Sequence, residues 1–182
     1  IIHVDILSDS QVASNPKDRC YYCKKKIFST IVSEAWKDGF KYLLDGTNAS
    51  DEENDRPGMK ALKELSVLSP LRMCGLTKSD IRARSREAGL FTWNKPSYAC
   101  LATRTVTGKE INEFLLSRTE RAEDFLMKLG FEDFRVRMCD DGANIQIREA
   151  QIELLIKNRK KILEALLKDY KFVHMDLEVR GE

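Results

Sequence analysis

The sequence predicts an α/β protein in two parts: a mostly parallel sheet with covering helices over residues 1–105, and a smaller α+β domain over residues 106–182. Two observations predict it. Through the first part, short apolar strand-like runs alternate with helix-like runs, the order that builds a parallel sheet. From Thr107 the pattern becomes a long helix, a tight hairpin, a second long helix and a last strand, which is a compact α+β order.

Ile1 to Leu7 is rich in isoleucine and valine and reads as a strand. With no methionine before it, the chain reads as one that begins inside a domain. Asn15-Pro16 signals a turn. Phe28, Ile31, Val32, Ala35 and Trp36 share one helical face, and Gly39 supplies a left-handed end. Phe40 to Leu44 reads as a second strand, running into Asp45-Gly46-Thr47-Asn48. After the acidic loop 51–55, Arg56-Pro57-Gly58 opens a short helix with Met59, Leu62 and Leu65 inward. Val67 to Leu71 reads as a third strand or extended segment. Thr77, with Asp80 three residues on, caps a helix carrying Lys78, Arg82, Arg84 and Arg86.

In the second part a helix is predicted from Lys109 to Leu129, ended by Gly130. Phe134 to Met138 alternates as a strand does, so Arg135 and Arg137 share a face. Asp140-Asp141-Gly142 turns the chain into a partner strand over Ala143 to Ile147. A second helix, Ala150 to Leu167, presents Ile152, Leu155, Ile156, Ile162, Leu163, Leu166 and Leu167 as its apolar set. Phe172 to Val179 reads as the last strand.

The composition excludes several classes. Apolar residues at 42% and charged residues at 33% describe a globular chain, not a disordered one. A net charge of +2 is too small to argue for nucleic acid, and no apolar run has the length of a membrane span. Five cysteines with one close pair fit a reducing cytoplasm better than a disulfide framework. The basic residues of the Thr77-capped helix, and the run Lys157 to Lys161, read as solvated faces.

Four motifs carry chemistry. Cys100 sits in Lys95-Pro96-Ser97-Tyr98-Ala99-Cys100-Leu101-Ala102-Thr103-Arg104. If the chain turns helical there, Arg104 lies one turn away, where a guanidinium favours the thiolate, the nucleophilic form. The alternative is a small buried hydrophobe. Cys20-Tyr21-Tyr22-Cys23 is a CxxC, open to metal, redox, cluster or purely structural roles, with no second CxxC to complete a zinc site. Gly46, Thr47 and Asn48 follow a strand, where ligands of parallel sheets bind, although the same residues make ordinary turns. Arg135 and Arg137 form a two-pronged cation for a phosphate or carboxylate, or an exposed strand face.

Taken together, Asn15 to Lys25, Asp45 to Asp51, Arg56-Pro57-Gly58, Ser69-Pro70-Leu71, Gly75 to Lys78 and Lys95 to Arg104 occur in the order of a known family. The chain resembles the LarE-type ATP-dependent sulfur transferases of the PP-loop superfamily, which mature the nickel-pincer nucleotide of lactate racemase. The resemblance implies an incomplete PP-loop (adenine nucleotide alpha hydrolase-like) sheet followed by a small α+β domain. It implies adenylylation of a pyridinium dicarboxylate mononucleotide with ATP and magnesium. A cysteine then displaces AMP and gives up its own sulfur, ending as dehydroalanine. The family's sacrificial cysteine falls on Cys100, with no resident metal. Gly46, Thr47, Asn48, Asp51 and Arg56 fall on the nucleotide side, and Arg135 and Arg137 become candidates for the substrate phosphate. Arg104 would orient the substrate or the thiolate. Loss of the Cys100 Cα proton requires a base, for which Glu123 stands as the candidate. The family implies a cytoplasmic homo-oligomer acting on a small mononucleotide, with neither membrane nor nucleic acid as partner.

Two departures bear on this. The Ser-Gly-Gly-x-Asp-Ser phosphate loop is not in the sequence, and would lie upstream of Ile1. Some relatives cluster three cysteines and carry sulfur on an iron–sulfur cluster; here Ala102 and Thr103 follow Leu101, which favours the sacrificial route, with Cys20 and Cys23 leaving a cluster open. Competing readings are another PP-loop activity, such as tRNA thiolation or amidation, and a metal-storing scaffold built on Cys20 and Cys23.

Overall fold

A computed structural model describes residues 1–51 and 57–176, and its contacts gather into two units, Ile1–Lys95 and Pro96–Glu182. The segment 96–105, assigned to the first domain by the sequence, therefore folds with the second unit.

The first unit is mainly helical. A single turn, α1 (Ser10–Ala13), is capped by Asp9, whose carboxylate accepts from Gln11 N at 3.0 Å. Asn15 then takes a left-handed φ of 53°, and the chain enters α2 (Arg19–Lys37). This helix begins earlier than its apolar periodicity suggests, so Cys20 and Cys23 lie in its first turns. It ends as expected: Gly39 has φ 83°, and Phe40 N donates to Ala35 O at 2.8 Å. The next helix, α3 (Pro57–Glu64), buries Ala61 and Leu62 and packs on α2. Gly58 makes that approach close, since a Cβ there would stand 2.7 Å from Lys24 Cδ. The short α4 (Pro70–Met73) leads to α5 (Lys78–Glu87). Thr77 and Asp80 form the expected reciprocal cap: Asp80 N donates to Thr77 Oγ1 at 3.2 Å, and Thr77 N to Asp80 Oδ2 at 2.9 Å.

The parallel sheet expected in this unit is reduced to one bridge among the described residues. Leu44 pairs with Leu68 in parallel, with Leu68 N donating to Leu43 O and Asp45 N to Leu68 O, each at 2.9 Å. Residues 1–5 have no regular structure, and the turn that follows leads into α1. Isoleucine and valine favour a strand only where a neighbour completes the ladder, and no described residue pairs with Ile1 to Leu7. Val67 to Leu71 resolves into the Leu68 bridge and the start of α4.

The second unit holds the regular sheet. Helix α6 (Glu113–Lys128) starts at Asn112, not Lys109, because the Asn112 side chain accepts from Leu115 N at 2.9 Å. Strands β1 (Arg135–Cys139) and β2 (Gly142–Gln146) pair antiparallel, Arg135 with Gln146 and Cys139 with Gly142. Asp140, at φ 51°, makes the two-residue turn with Asp141. Gly142 is required for packing: a Cβ would stand 2.0 Å from the Phe172 ring. Helix α7 (Ile152–Leu166) crosses over to β3 (Val173–Met175), which lies parallel to β2, giving the order β1-β2-β3.

The core joins Ala122 and Leu126 of α6, Val136, Ala143 and Ile145 of the sheet, and Ile162 and Leu166 of α7, closed by Phe131, Phe134 and Tyr170. Three residues of the predicted α7 face, Ile156, Leu163 and Leu167, are not part of it. Ile156 and Leu167 are 64% and 48% exposed, because the apolar stripe of the helix is wider than the surface it covers. Leu177 and Val179 of the predicted last strand lie outside the described residues. No described helix is long and apolar enough to cross a membrane.

Candidate functional site

The second unit gathers Cys100, Arg104, Glu123, Arg135 and Arg137 around one loop. The loop is fixed from below by a carboxylate. Glu123, on the inner face of α6, is fully buried, as is Arg104 (relative exposures 0% and 1%). Arg104 Nε donates to Glu123 Oε1 at 2.7 Å and Nη2 to Oε2 at 2.9 Å, the planar fork matched to the carboxylate. Oε1 also accepts from Val136 N of β1 at 2.9 Å, and Oε2 from the Tyr98 hydroxyl at 2.5 Å. Four donors thus converge on one buried carboxylate and join α6, β1 and both sides of the Cys100 loop.

The Tyr98 ring lies near both arginines, 5.2 Å from Arg104 Cζ and 5.9 Å from Arg135 Cζ. Burial, then the hydrogen bond to Glu123 and its negative charge, raise the Tyr98 pKa well above the ordinary phenol value. The hydroxyl remains a donor throughout the physiological range.

This arrangement changes two expected roles. Glu123 is the candidate base from sequence, but its acceptor positions are taken by four donors inside a dry site. It holds the loop and does not face it as a free base. A helix at Cys100 would place Arg104 one α-helical turn from the thiol. Instead Leu101–Arg104 is a single 3₁₀ turn, Cys100 is extended (φ −51°, ψ 135°), and the guanidinium turns inward. Its remaining nitrogen, Nη1, donates to Thr103 Oγ1 at 2.9 Å and reaches the carbonyls of Ala99 and Cys100 at 3.3 and 3.4 Å. Among the described residues no hydrogen bond reaches the Cys100 sulfur. Cys100 itself is exposed, which settles the alternative of a buried hydrophobe against it.

The two arginines of β1 share a face as their alternation requires, yet serve differently. Arg135 is buried; Nη1 donates to Phe134 O at 2.6 Å, Nη2 to Ser97 O at 3.2 Å, and Asp133 lies 3.8 Å away. Arg137 is exposed. Its Nε donates to Gln146 Oε1 at 2.6 Å and its Nη1 to Thr103 O at 3.1 Å. Gln146 is held in turn by Asp176 at 2.7 Å. Both arginines therefore grip the backbone of the Cys100 loop, and Arg137 alone also presents its guanidinium to solvent.

The predicted nucleotide-side residues lie in the first unit, in the loop after the Leu44 bridge. Asp45 accepts from Thr47 N at 3.2 Å, Thr47 Oγ1 at 2.5 Å and Ser69 Oγ at 2.6 Å. Burial works against its charge, but these hydrogen bonds and Lys24 outweigh it and hold the carboxyl below its ordinary value. Asn48 Oδ1 accepts from Ser50 N at 2.9 Å, and Asp51 Oδ2 from Asn48 N at 3.0 Å. Thr47, Asn48 and Asp51 thus brace their own loop. Gly46 leaves open space, with nothing within 4 Å of a Cβ built there. Arg56 lies outside the described residues. All five cysteines are free thiols, and the described residues contain no group of three or more His, Cys, Asp or Glu able to hold a metal.

Sequence reasoning missed Tyr98 and Thr103 as working residues. Their only signal is position: two residues before the cysteine and three after it.

No family model matches the chain. Three curated proteins are similar along nearly all of it. An uncharacterized protein of Synechocystis is 31% identical over 182 residues, covering 100% of this chain and 68% of the relative. An uncharacterized protein of Methanocaldococcus jannaschii is 31% identical over 180 residues, covering 98% and 70%. The pyridinium-3,5-bisthiocarboxylic acid mononucleotide synthase of Lactiplantibacillus plantarum is 33% identical over 175 residues. That match covers 96% of this chain, and the chain spans 63% of the synthase.

Proposed function

We propose that the chain belongs to the LarE-like family, on its 33% identity to the synthase over 96% of its own length, and that it is the sulfur-donating part of a synthase in nickel-pincer nucleotide formation. The observation that carries the reading is Cys100: an exposed thiol on a loop whose backbone is fixed by a buried ion pair. A nucleophile must be accessible and yet held in one place.

In this reading ATP activates a carboxylate of the pyridinium dicarboxylate mononucleotide as its adenylate. The Cys100 thiolate attacks the activated carbonyl and AMP leaves. The Cβ–S bond of the resulting thioester then breaks, leaving a thiocarboxylate on the substrate and dehydroalanine at position 100. Each site turns over once. Arg137, exposed beside the loop, is the residue suited to the substrate phosphate. Arg135 is already committed to Ser97 and Phe134, and positions the loop. Glu123 and Arg104 are positioning residues as well.

ATP and magnesium belong to the reading through the PP-loop resemblance. The described residues offer a braced loop beside open space at Gly46, but its donors are largely spent on itself, so no step of the adenylylation is assigned to them. The enzyme is read as a cytoplasmic homo-oligomer with a small-molecule substrate.

The test is the intact mass of the full-length gene product before and after incubation with ATP, magnesium and the dicarboxylate mononucleotide, with peptide mapping. Loss of the mass of one hydrogen sulfide at Cys100 is the expected result. AMP and sulfurated product with Cys100 unchanged would overturn the sacrificial route. No AMP and no product would overturn the substrate.

A further inference from the structure

The geometry points to the Cys100 carbonyl as the place where this loop prepares its cysteine for Cβ–S cleavage, with Thr103 as the residue that does so. The inference rests on the sulfur-transfer reading and assigns it a residue that the reading lacks. Three donors converge on that oxygen: Thr103 Oγ1 at 2.7 Å, Thr103 N at 2.9 Å and Arg104 Nη1 at 3.4 Å. The N–H contact is what a 3₁₀ turn supplies. The hydroxyl is additional, and it is polarised by accepting from Arg104 Nη1 at 2.9 Å, which makes it a stronger donor. Arg104 is in turn fixed by Glu123.

The chemistry explains why donors belong there. In the thioester, cleavage is a β-elimination. A base takes the Cα proton of Cys100, and the electron pair moves onto the Cys100 carbonyl oxygen as an enolate. The pair then returns to form Cα=Cβ, and the Cβ–S bond breaks with its electrons remaining on sulfur. The thiocarboxylate leaves and dehydroalanine stays; nothing is oxidised or reduced. The developing charge sits on the oxygen that carries the three donors, as in an oxyanion hole. Glu123 has no acceptor position for the proton, whereas Cys100 is exposed, so hydroxide or a buffer base from solvent takes it.

This acidity is measurable without the nucleotide substrate. A dibromide reagent alkylates one thiol twice, giving a cyclic sulfonium that leaves only when a base removes the Cα proton. On the folded chain, Cys20, Cys74, Cys100 and Cys139 are all exposed, and peptide-resolved mass spectrometry follows each from sulfonium to dehydroalanine. Elimination at Cys100 is expected to be faster than at Cys74 by about tenfold or more. Thr103→Val should abolish the difference, and Thr103→Ser should restore it. Thr103 is exposed, so neither variant disturbs the core. Equal rates at Cys100 and Cys74, or an undiminished rate in Thr103→Val, would overturn the inference. A failure of sulfur transfer with the nucleotide, alongside an intact rate difference at Cys100, would overturn the functional reading and leave the role of Thr103 standing.

Discussion

Two loops in this molecule are each held by one carboxylate, and they differ in where that carboxylate comes from. The loop 45–51 is braced by Asp45, two residues from its partner Thr47, with Ser69 as a third donor. The loop 98–104 is braced by Glu123, on a helix 19 residues beyond Arg104. Asp45 is partly solvated and meets neutral donors. Glu123 is dry and meets a guanidinium, a phenol and a backbone N–H. A locally braced loop forms with its own turn, whereas a loop braced from the core depends on the whole unit being folded.

The largest test of this contrast is removal of the buried charge. Glu123→Gln leaves the Arg104 guanidinium buried without its counter-charge and should cost about 3–5 kcal/mol of stability. Urea unfolding measures it, and amide exchange at Thr103 should rise with it. The paired change Arg104→Met with Glu123→Leu should recover only part of that stability, because it removes the buried charge but leaves the Val136 N–H and the Tyr98 hydroxyl without their acceptor, while Thr103 stays poorly protected. If the single variant costs no more than a surface substitution, the buried brace is not what holds the loop.

A smaller effect is expected at the other brace. Asp45→Ala strips an acceptor from three donors that water can partly reach, so about 1–2 kcal/mol is expected. Amide exchange should quicken at Thr47 and not at Thr103. Equal loss of protection in both loops would show that they are coupled, not independent.

The smallest test is pH. Tyr98 keeps its proton in the fold beyond the ordinary phenol value of 10.0. Its contribution is therefore fully present below that pH. It is lost as pH rises, because the unfolded chain gives up a proton that the folded chain retains. Stability should decline above about pH 10, and Tyr98→Phe should flatten the decline. Asp45 has the opposite sign: its carboxyl is held low, so its contribution is present above the ordinary value of 3.8 and fades as the solution is acidified through the folded value.

Much of the site was legible before any coordinates. The order of short motifs singled out Cys100, and strand alternation placed Arg135 and Arg137 on one face. The capping box at Thr77 and the left-handed end at Gly39 are local devices and formed as read. What failed were statements about partners. The expected strand at Ile1 to Leu7 has no ladder partner among the described residues, and the α-helical turn entertained after Cys100 is a 3₁₀ turn.

The sequence by itself determined which residues turn, cap and alternate, because those choices rest on backbone sterics and on side chains within four positions. It singled out the Cys100 motif and its neighbours as the place to look. Only the tertiary structure decided that Glu123 is a brace and not a base, that Arg104 faces inward, and that one arginine of β1 is buried while the other meets solvent. Each of those outcomes depends on how many donors reach a group once water is excluded, and residues far apart in the chain supply them.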